Sequence, residues 1–266
     1  VARAARKESE TGYYHIMTRG INKEYIFNND FEKDMILRIF DEKLQQKPEN
    51  ELFRIVAYCI MSNHLHMIVH SEKKALINIM KKVNITYAMS YNRKNNRVGA
   101  LFQERYKSQV ICDEKHLFGA IRYVHNNPLK ARMVQDVRDY RWSSIVEYIE
   151  KRSYLIDPIE KKLVLDRFHS NDDFLKFHTY EDDREHLELS EEIEEQREHK
   201  AQKIVEEYFL EKGINEKRHL RDKDELILRL LKESKLSNRK IAKLVEVSVS
   251  TVARMSAQMG GLRGGK

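Results

Sequence analysis

The sequence predicts an α+β fold with an antiparallel sheet, followed by an all-helical C-terminal region. Up to Pro128, segments typical of strands alternate with segments of helical period, in the order strand, helix, strand pair, helix, strand, helix. Residues 156–215 and 222–258 are mostly helical in pattern. The 266 residues are 34% charged and 41% hydrophobic, a composition that suits a water-soluble protein with one sizeable core.

The strands of the predicted sheet are short apolar or alternating segments bounded by turn or polar residues, and they cover 13–18, 52–61, 64–69 and 106–112. The helices repeat apolar residues at helical spacing and cover 30–46, 75–92 and 115–127. Pro48 lies just beyond the first helix, and Pro128 is expected to end the third, because proline has no N–H to continue the hydrogen-bond ladder.

Charge is distributed unevenly along the chain, whose net charge is +7. Residues 181–200 contain ten acidic against three basic side chains, whereas residues 81–152 contain fifteen basic against seven acidic ones. Residues 217–266 contain thirteen basic against five acidic side chains. Two basic regions separated by an acidic spacer predict a polyanionic partner such as nucleic acid. The alternative is that the lysines and arginines only solvate helices.

The chain is expected to contain an N-terminal domain over 1–155, an acidic helical connector over 156–216 and a DNA-binding domain over 217–266. Its longest apolar run contains seven residues, far fewer than the ~20 that span a bilayer. No secretory signal is recognisable. Cys59 and Cys112 lie in apolar sequence without metal-type spacing, which predicts buried thiols in a reducing compartment. We therefore expect a cytoplasmic protein without a membrane span.

Near the C-terminus, two short helices are predicted. Ser237 can cap a helix running to Val245, and Ser248 or Ser250 can cap a second helix running to about residue 258. The positions expected to be buried are Ile241, Ala242, Val245, Val247, Val252 and Met255. This pattern resembles the helix-turn-helix of resolvases and transcription regulators, although Glu246 occupies a turn position that often holds glycine. The alternative is an ordinary helical hairpin.

Two histidines in the strand over 64–69 are a candidate metal site. Because side chains alternate across a strand, His64 and His66 lie on one face, while Leu65, Met67 and Val69 lie on the other. Two neutral imidazoles at this spacing can share one divalent cation. The alternative is a half-exposed strand that carries two histidines by chance.

The third helix contains a candidate nucleophile and a candidate metal ligand. Tyr123 and Asn127 are four residues apart, so they stand one turn above each other on a helix. A deprotonated phenol can attack phosphorus, and an amide oxygen can complete a site for a hard cation. The alternative for Tyr123 is a buried tyrosine whose hydroxyl is hydrogen-bonded.

The motif His64-Leu65-His66 together with residues 122–131 resembles the single-tyrosine HUH (histidine, hydrophobic residue, histidine) transposases, and among them the REP-associated tyrosine transposases. The resemblance extends in consistent order from about residue 12 to residue 148, and includes the segments 14–15, 18–20, 61–64, 99–108 and 142–144. It implies a ferredoxin-like nuclease domain that binds Mg²⁺ or Mn²⁺. It also implies that the tyrosine cleaves single-stranded DNA, forms a 5′-phosphotyrosine link and leaves a free 3′-OH.

Carried onto this chain, the resemblance makes His64 and His66 metal ligands, Tyr123 the nucleophile and Asn127 the third ligand. The DNA would be single-stranded with hairpin or palindromic ends, and the protein a monomer or homodimer. Candidate DNA-binding residues of the N-terminal domain are Arg19, Arg105, Lys107, Arg122 and Lys130. Those of the helix-turn-helix are Ser248, Ser250, Thr251 and Arg254 toward the groove, with Lys240 and Lys243 on phosphates. Three aromatic side chains offer faces for bases, but core packing is favoured for each: Phe102, Tyr106 and Trp142.

Two other functions are compatible with these residues. In the first, the HUH domain is not catalytic, and the C-terminal helices form a sequence-specific DNA-binding regulator. In the second, the protein is a metal phosphoesterase that uses water, and Tyr123 is structural. Only the transposase would retain DNA covalently after cleavage.

Overall fold

The computed structural model describes residues 7–150, 154–180, 190–213 and 223–261. The chain divides into two compact units, Val1–Leu187 and Glu188–Lys266. The candidate residues from the HUH resemblance all belong to the first unit, and those of the two C-terminal helices belong to the second.

The first unit is built on a four-stranded sheet with the strand order β2-β3-β1-β4, in which all neighbouring strands are antiparallel. Its elements follow one another as β1 (Tyr13–Arg19), α1 (Asp30–Gln45), β2 (Phe53–Ile60), β3 (His64–Ser71), α2 (Lys73–Lys94), β4 (Lys107–Val110) and α3 (Glu114–Lys130). This βαββαβ order is the ferredoxin-like arrangement. The α+β class and all seven predicted elements are confirmed.

The start of α1 illustrates how local sequence sets an element boundary. The Asn29 side chain accepts a hydrogen bond from the backbone N–H of Glu32 at 3.0 Å, and the Glu32 carboxylate accepts in return from the backbone of Asn29. This capping box satisfies two N–H groups that a helix start otherwise leaves without partners. The helix therefore begins at Asp30, as predicted.

Helix α3 continues through Pro128 to Lys130, so the prediction that it ends at residue 127 is wrong. Proline at this position removes the N–H that would bond the carbonyl of Val124. The Asn127 amide nitrogen lies 3.5 Å from that carbonyl and replaces part of the lost interaction, while it donates to the carbonyl of Tyr123 at 2.9 Å. Lys130 therefore stays on the same helix as Tyr123.

Three short helices follow α3 in the first unit: α4 (Ile145–Ile149), α5 (Pro158–Leu165) and α6 (Asn171–Phe177). The segment 156–180, part of the predicted connector, contributes buried side chains of Ile156, Val164 and Phe174 to the core of the sheet domain. The boundary expected at residue 155 thus lies within one packed core. The acidic stretch 181–189 lies outside the described residues.

The described residues of the second unit form α7 (Ser190–Lys212), α8 (Asp224–Glu233), α9 (Asn238–Val245) and α10 (Val249–Gly261). Five of the six apolar positions predicted to be buried are buried, and Val247 packs partly buried against them. The Ser248 hydroxyl accepts from the backbone N–H of Thr251 at 3.1 Å and caps α10 as predicted. Ser237 precedes α9, but its side chain makes no capping hydrogen bond.

The turn between α9 and α10 places Glu246 in the left-handed region, with φ 59° and ψ 56°. A residue with a Cβ atom is strained there by roughly 1–2 kcal/mol. We expect Glu246→Gly to raise the local unfolding free energy of α9 and α10 by about 0.5–1 kcal/mol, once the higher chain entropy of glycine is included. Amide hydrogen exchange of the two helices measures this change.

The control for that substitution is Lys243→Gly in the exposed helical part of α9. It should lower the same free energy by roughly 1 kcal/mol, because glycine is a poor helix former. Equal destabilisation by both substitutions would contradict the assignment of strain to Glu246.

Two remaining expectations concern membranes and thiols. Within the described residues, no helix combines the length and the apolar character needed to cross a bilayer. Cys59 is buried in β2 as predicted, but Cys112 is exposed. The prediction of burial is wrong for Cys112 because that residue lies between the end of β4 and the N-cap of α3, outside the sheet.

Candidate active site

The imidazoles of His64 and His66 lie side by side at the beginning of β3, with ring centres 4.9 Å apart and ring planes nearly perpendicular. Both side chains are buried. Helix α3 packs against β2 and β3 and places the ring of Tyr123 5.5 Å from that of His66. The structure therefore brings together the candidate nucleophile and both candidate histidine ligands.

A third histidine, His15 on β1, completes this cluster, and sequence reasoning did not include it among the site residues. Its Nε2 lies 3.0 Å from Nδ1 of His66, and its ring centre lies 5.7 Å from that of Tyr123. His15 shares a face with His66 because Met17, two residues along β1, is directly opposite His66 in the antiparallel pairing. The sequence analysis did not predict the pairing of β1 with β3, and without that pairing His15 could not be assigned to the site.

Hydrogen bonds select the ring nitrogens that can bind a cation. Nδ1 of His64 lies 2.6 Å from Oδ1 of Asn63, and an amide oxygen only accepts, so Nδ1 carries the proton and Nε2 the lone pair. Nδ1 of His66 is engaged with His15, so Nε2 is the nitrogen of that ring that could bind a metal. Burial, followed by repulsion from His64, His15 and Lys130, lowers the pKa of His66 well below its usual value. The neutral ring is the form that binds metals.

Asn127, the candidate third ligand, is buried on α3 one turn after Tyr123. Its amide nitrogen is used in the bond to the carbonyl of Tyr123, so Oδ1 is the end that can act as a ligand. Among the described residues, no group of three His, Cys, Asp or Glu side chains is arranged to hold a metal. Two imidazole nitrogens and an amide oxygen form a donor set that fits a divalent cation.

The basic side chains of this unit that were predicted to bind DNA lie in different surroundings. Lys130 Nζ lies 4.2 Å from the ring centre of Tyr123. Arg19 is opposite His64 and Lys107 is opposite Met17, so both share the face of the sheet that carries the imidazoles. Arg105 is exposed just before β4. The guanidinium of Arg122 lies 4.7 Å from the ring centre of Phe177, away from this face.

The aromatic side chains considered as base-stacking platforms lie in or against the hydrophobic core. Tyr106 and Trp142 are buried, and Phe102 is partly buried against the same core. Phe102 also forms an isolated bridge with Gly20, directly after β1. The favoured alternative of core packing agrees with these positions.

In the second unit, the candidate groove-facing residues of α10 are accessible, because Ser250 and Arg254 are exposed and Thr251 is half-buried. Ser248 bonds the hydroxyls of Ser250 and Thr251 at 2.8 Å each. The two candidate phosphate contacts on α9 are Lys243, which is exposed, and Lys240, which pairs with Glu198 at 2.6 Å.

Comparisons with known proteins find similarity to transposases. Residues 8–127 match the family model "Transposase IS200 like". A putative REP-associated tyrosine transposase of Haemophilus influenzae is 25% identical over 126 residues, which are 43% of this chain and 72% of the relative. An uncharacterised protein of the same organism is 27% identical over 145 residues, 44% of this chain and 81% of the relative.

Among solved structures, a REP-associated tyrosine transposase described as bound to a REP hairpin is 15% identical, with a TM-score of 0.45, and the match covers 59% of this chain and 92% of that one. The matched residues run from before β1 to near the end of α3 and include His64, His66, Tyr123 and Asn127. Residues 8–127 thus match the IS200-like transposase model, and this part of the chain is similar to a putative REP-associated tyrosine transposase.

Proposed function

We propose that the first unit is a metal-dependent endonuclease and strand transferase for single-stranded DNA, in which Tyr123 is the nucleophile. The observation that supports this most strongly is the packing of one tyrosine ring against two buried histidines, with a lysine over the ring. A structural tyrosine would not require polar groups on three sides. The family of residues 8–127 supports the same class of activity.

A divalent cation, Mg²⁺ or Mn²⁺, would be held by Nε2 of His64, Nε2 of His66 and Oδ1 of Asn127. When bound, it would polarise the scissile phosphate and neutralise charge that develops in the transition state. His15 would orient a metal ligand. Its hydrogen bond to Nδ1 of His66 sets which nitrogen of the His66 ring faces the cation.

In the proposed reaction, the Tyr123 oxygen attacks the phosphorus atom and the bond from phosphorus to the 3′ oxygen breaks. The 3′ oxygen takes up a proton and leaves as a hydroxyl, while the 5′ phosphate stays bonded to Tyr123. The phenol proton passes to solvent, which also supplies the proton taken up by the 3′ oxygen, and the ammonium of Lys130, 4.2 Å from the ring centre, would stabilise the phenolate. Because the phosphodiester energy is conserved in the tyrosine ester, a 3′-OH can later reverse the step and join strands.

The substrate we propose is single-stranded DNA with hairpin or palindromic ends, processed in the cytoplasm, in line with the resemblance to the REP-associated tyrosine transposases. Arg19 and Lys107 would bind the DNA backbone, and the support for this is that both share the imidazole face. Backbone phosphates attract such cations independently of sequence.

For the second unit, we propose a helix-turn-helix made of α9 and α10. Its support is the short turn at Glu246, the buried apolar seam between the two helices and the exposed start of α10. Ser250, Thr251 and Arg254 would face a DNA groove, as the second helix of such motifs does. Lys243 and Lys240 would meet phosphates, the latter after release from Glu198.

Deleting residues 188–266 should weaken binding to duplex DNA and flatten its salt dependence, because cations that meet phosphates are removed. Cleavage of single strands by residues 1–187 should survive. Affinity measured at several salt concentrations, alongside cleavage, checks both parts. A truncated protein that binds duplex DNA as tightly as the full chain would mean that the second unit serves another partner or is structural.

His15→Ala should weaken Mn²⁺ binding by about 10–100-fold, the usual effect of losing a hydrogen-bond partner of a metal ligand. Isothermal titration calorimetry with MnCl₂ measures this without reference to catalysis. His15→Gln, whose amide reaches about as far as Nε2, should restore most of the affinity. Unchanged Mn²⁺ affinity in the alanine variant would remove His15 from the metal site.

The experiment that tests the proposed function uses a single-stranded hairpin oligonucleotide labelled at its 3′ end, with Mg²⁺. We expect a labelled protein band that survives denaturation, because the downstream DNA remains on the tyrosine. Cleavage without such a band would indicate the water-using phosphoesterase. Tight binding without cleavage would indicate the non-catalytic regulator.

A further inference from the structure

We infer that the segment Arg167–His178, called here the α6 segment, positions the helix that carries the nucleophile, and that His178 is its main positioning residue. The inference rests on the proposed function for its catalytic consequence. The α6 segment lies outside residues 8–127, the part of the chain that matches the transposase family.

A chain of hydrogen bonds joins His178 to α3, and the donor and the acceptor of each bond can be assigned. The carbonyl of Phe174 can only accept, so Nδ1 of His178 donates to it at 2.8 Å. Nε2 of His178 then accepts from Nδ1 of His125 at 2.8 Å, and Nε2 of His125 accepts from the Ser144 hydroxyl at 2.8 Å. Both rings are buried, and burial lowers the pKa of His178 to about 4, so the ring is neutral at pH 7.

Further contacts run along one side of α3. The Asn126 amide donates to the carbonyl of His178 at 2.8 Å. Phe118 packs edge-on against Phe168 and Phe177, with ring centres 5.9 and 6.1 Å apart.

Two charged residues extend the same side of the helix, since Arg122 stacks on Phe177 and Glu114 pairs with Arg167 at 2.8 Å. The positions on α3 that contact the α6 segment are 114, 118, 122, 125 and 126. Their spacing of three to four residues defines one helix face.

Tyr123 points from a different side of α3 toward His15 and His66. The helix is therefore held between the imidazole face of the sheet and the α6 segment, and the second contact sets its rotation and its position along its axis. A displacement of about 1 Å of a reacting group can cost ~100-fold in rate.

The test uses the full chain with three substitutions. His178→Leu removes the acceptor for His125, whereas His178→Gln keeps an oxygen at a similar reach. Val164→Ala is the matched control, because Val164 is buried in the same core at 2% exposure and removing its methyl groups destabilises that core. Two quantities are measured: the rate of adduct formation at saturating hairpin DNA, and the dissociation constant for that DNA.

We expect His178→Leu to lower the rate by about 10-fold or more while the DNA dissociation constant changes by less than about 2-fold. His178→Gln should recover most of the rate, and Val164→Ala should retain it. If His178→Leu does not fold, Asn126→Ala, which removes the bond to the carbonyl of His178, should show a smaller loss of the same kind. Wild-type rates in both the leucine and the Asn126 variants, or equal losses in Val164→Ala, would overturn the inference.

Amide hydrogen exchange across residues 114–130 tests this inference independently of the proposed function. His178→Leu should accelerate exchange in α3 and Val164→Ala should not, whether or not DNA is cleaved. A wild-type protein that forms no adduct would refute the proposed function, while the exchange rates would still decide whether the α6 segment holds α3.

Discussion

Replacing His64 or His66 by alanine is expected to reduce DNA cleavage by about 10³-fold or more, since loss of the cation removes several kcal/mol of transition-state stabilisation. Affinity for single-stranded DNA should stay within about 2-fold, because basic side chains supply most of it. Cleavage rates with Mg²⁺ and fluorescence anisotropy with a labelled hairpin measure the two effects separately.

The matched control is His70→Ala, on the same strand and the same face as His64 and His66. Nδ1 of His70 pairs with Glu160 at 2.7 Å, at the other end of β3 from the proposed metal site. This variant should cleave at close to the wild-type rate. Normal cleavage by both the His64 and His66 variants would refute their assignment as metal ligands.

The substitution Tyr123→Phe is expected to abolish cleavage and covalent attachment together, because a single oxygen makes the attack and holds the DNA. The ring contacts with His15 and His66 and the packing of Lys130 over the ring should all remain. The free energy of unfolding should therefore change by no more than about 1–2 kcal/mol, the range for one hydrogen bond. Denaturing electrophoresis with 3′-labelled DNA and thermal unfolding check the two parts.

Tyr106 and Tyr140 provide the controls for that substitution. Both are buried, and the Tyr140 hydroxyl donates to the carbonyl of Ile60 at 2.7 Å, a structural role. Their phenylalanine variants should still form the adduct. Cleavage without an adduct in Tyr123→Phe would mean that water attacks the phosphate.

Much of the fold and part of the site follow from sequence periodicity. Alternation along β3 is enough to place His64 and His66 on one face, and helical spacing is enough to place Asn127 one turn from Tyr123. Both inferences concern neighbours within one element, where geometry is set by the backbone alone.

The features that the sequence did not predict depend on contacts between elements. His15 enters the site only through the register of β1 against β3, and His178 reaches α3 from a helix about fifty residues further along the chain. Helix α3 continues through Pro128, where the Asn127 amide nitrogen lies 3.5 Å from the Val124 carbonyl that the proline leaves without its N–H partner. Propensity rules treat proline as a stop signal and contain no information on such compensation.

The most direct test of the central claim, that the Tyr123 oxygen attacks DNA, is identification of the residue that carries DNA after cleavage. The adduct formed with a 3′-labelled hairpin is digested with a protease and a nuclease, and the modified peptide is sequenced by mass spectrometry. The expected result is a nucleotide 5′ phosphate esterified to Tyr123, within the peptide that also contains His125 and Asn127. Attachment at another tyrosine, or through the 3′ end of the upstream DNA, would contradict it.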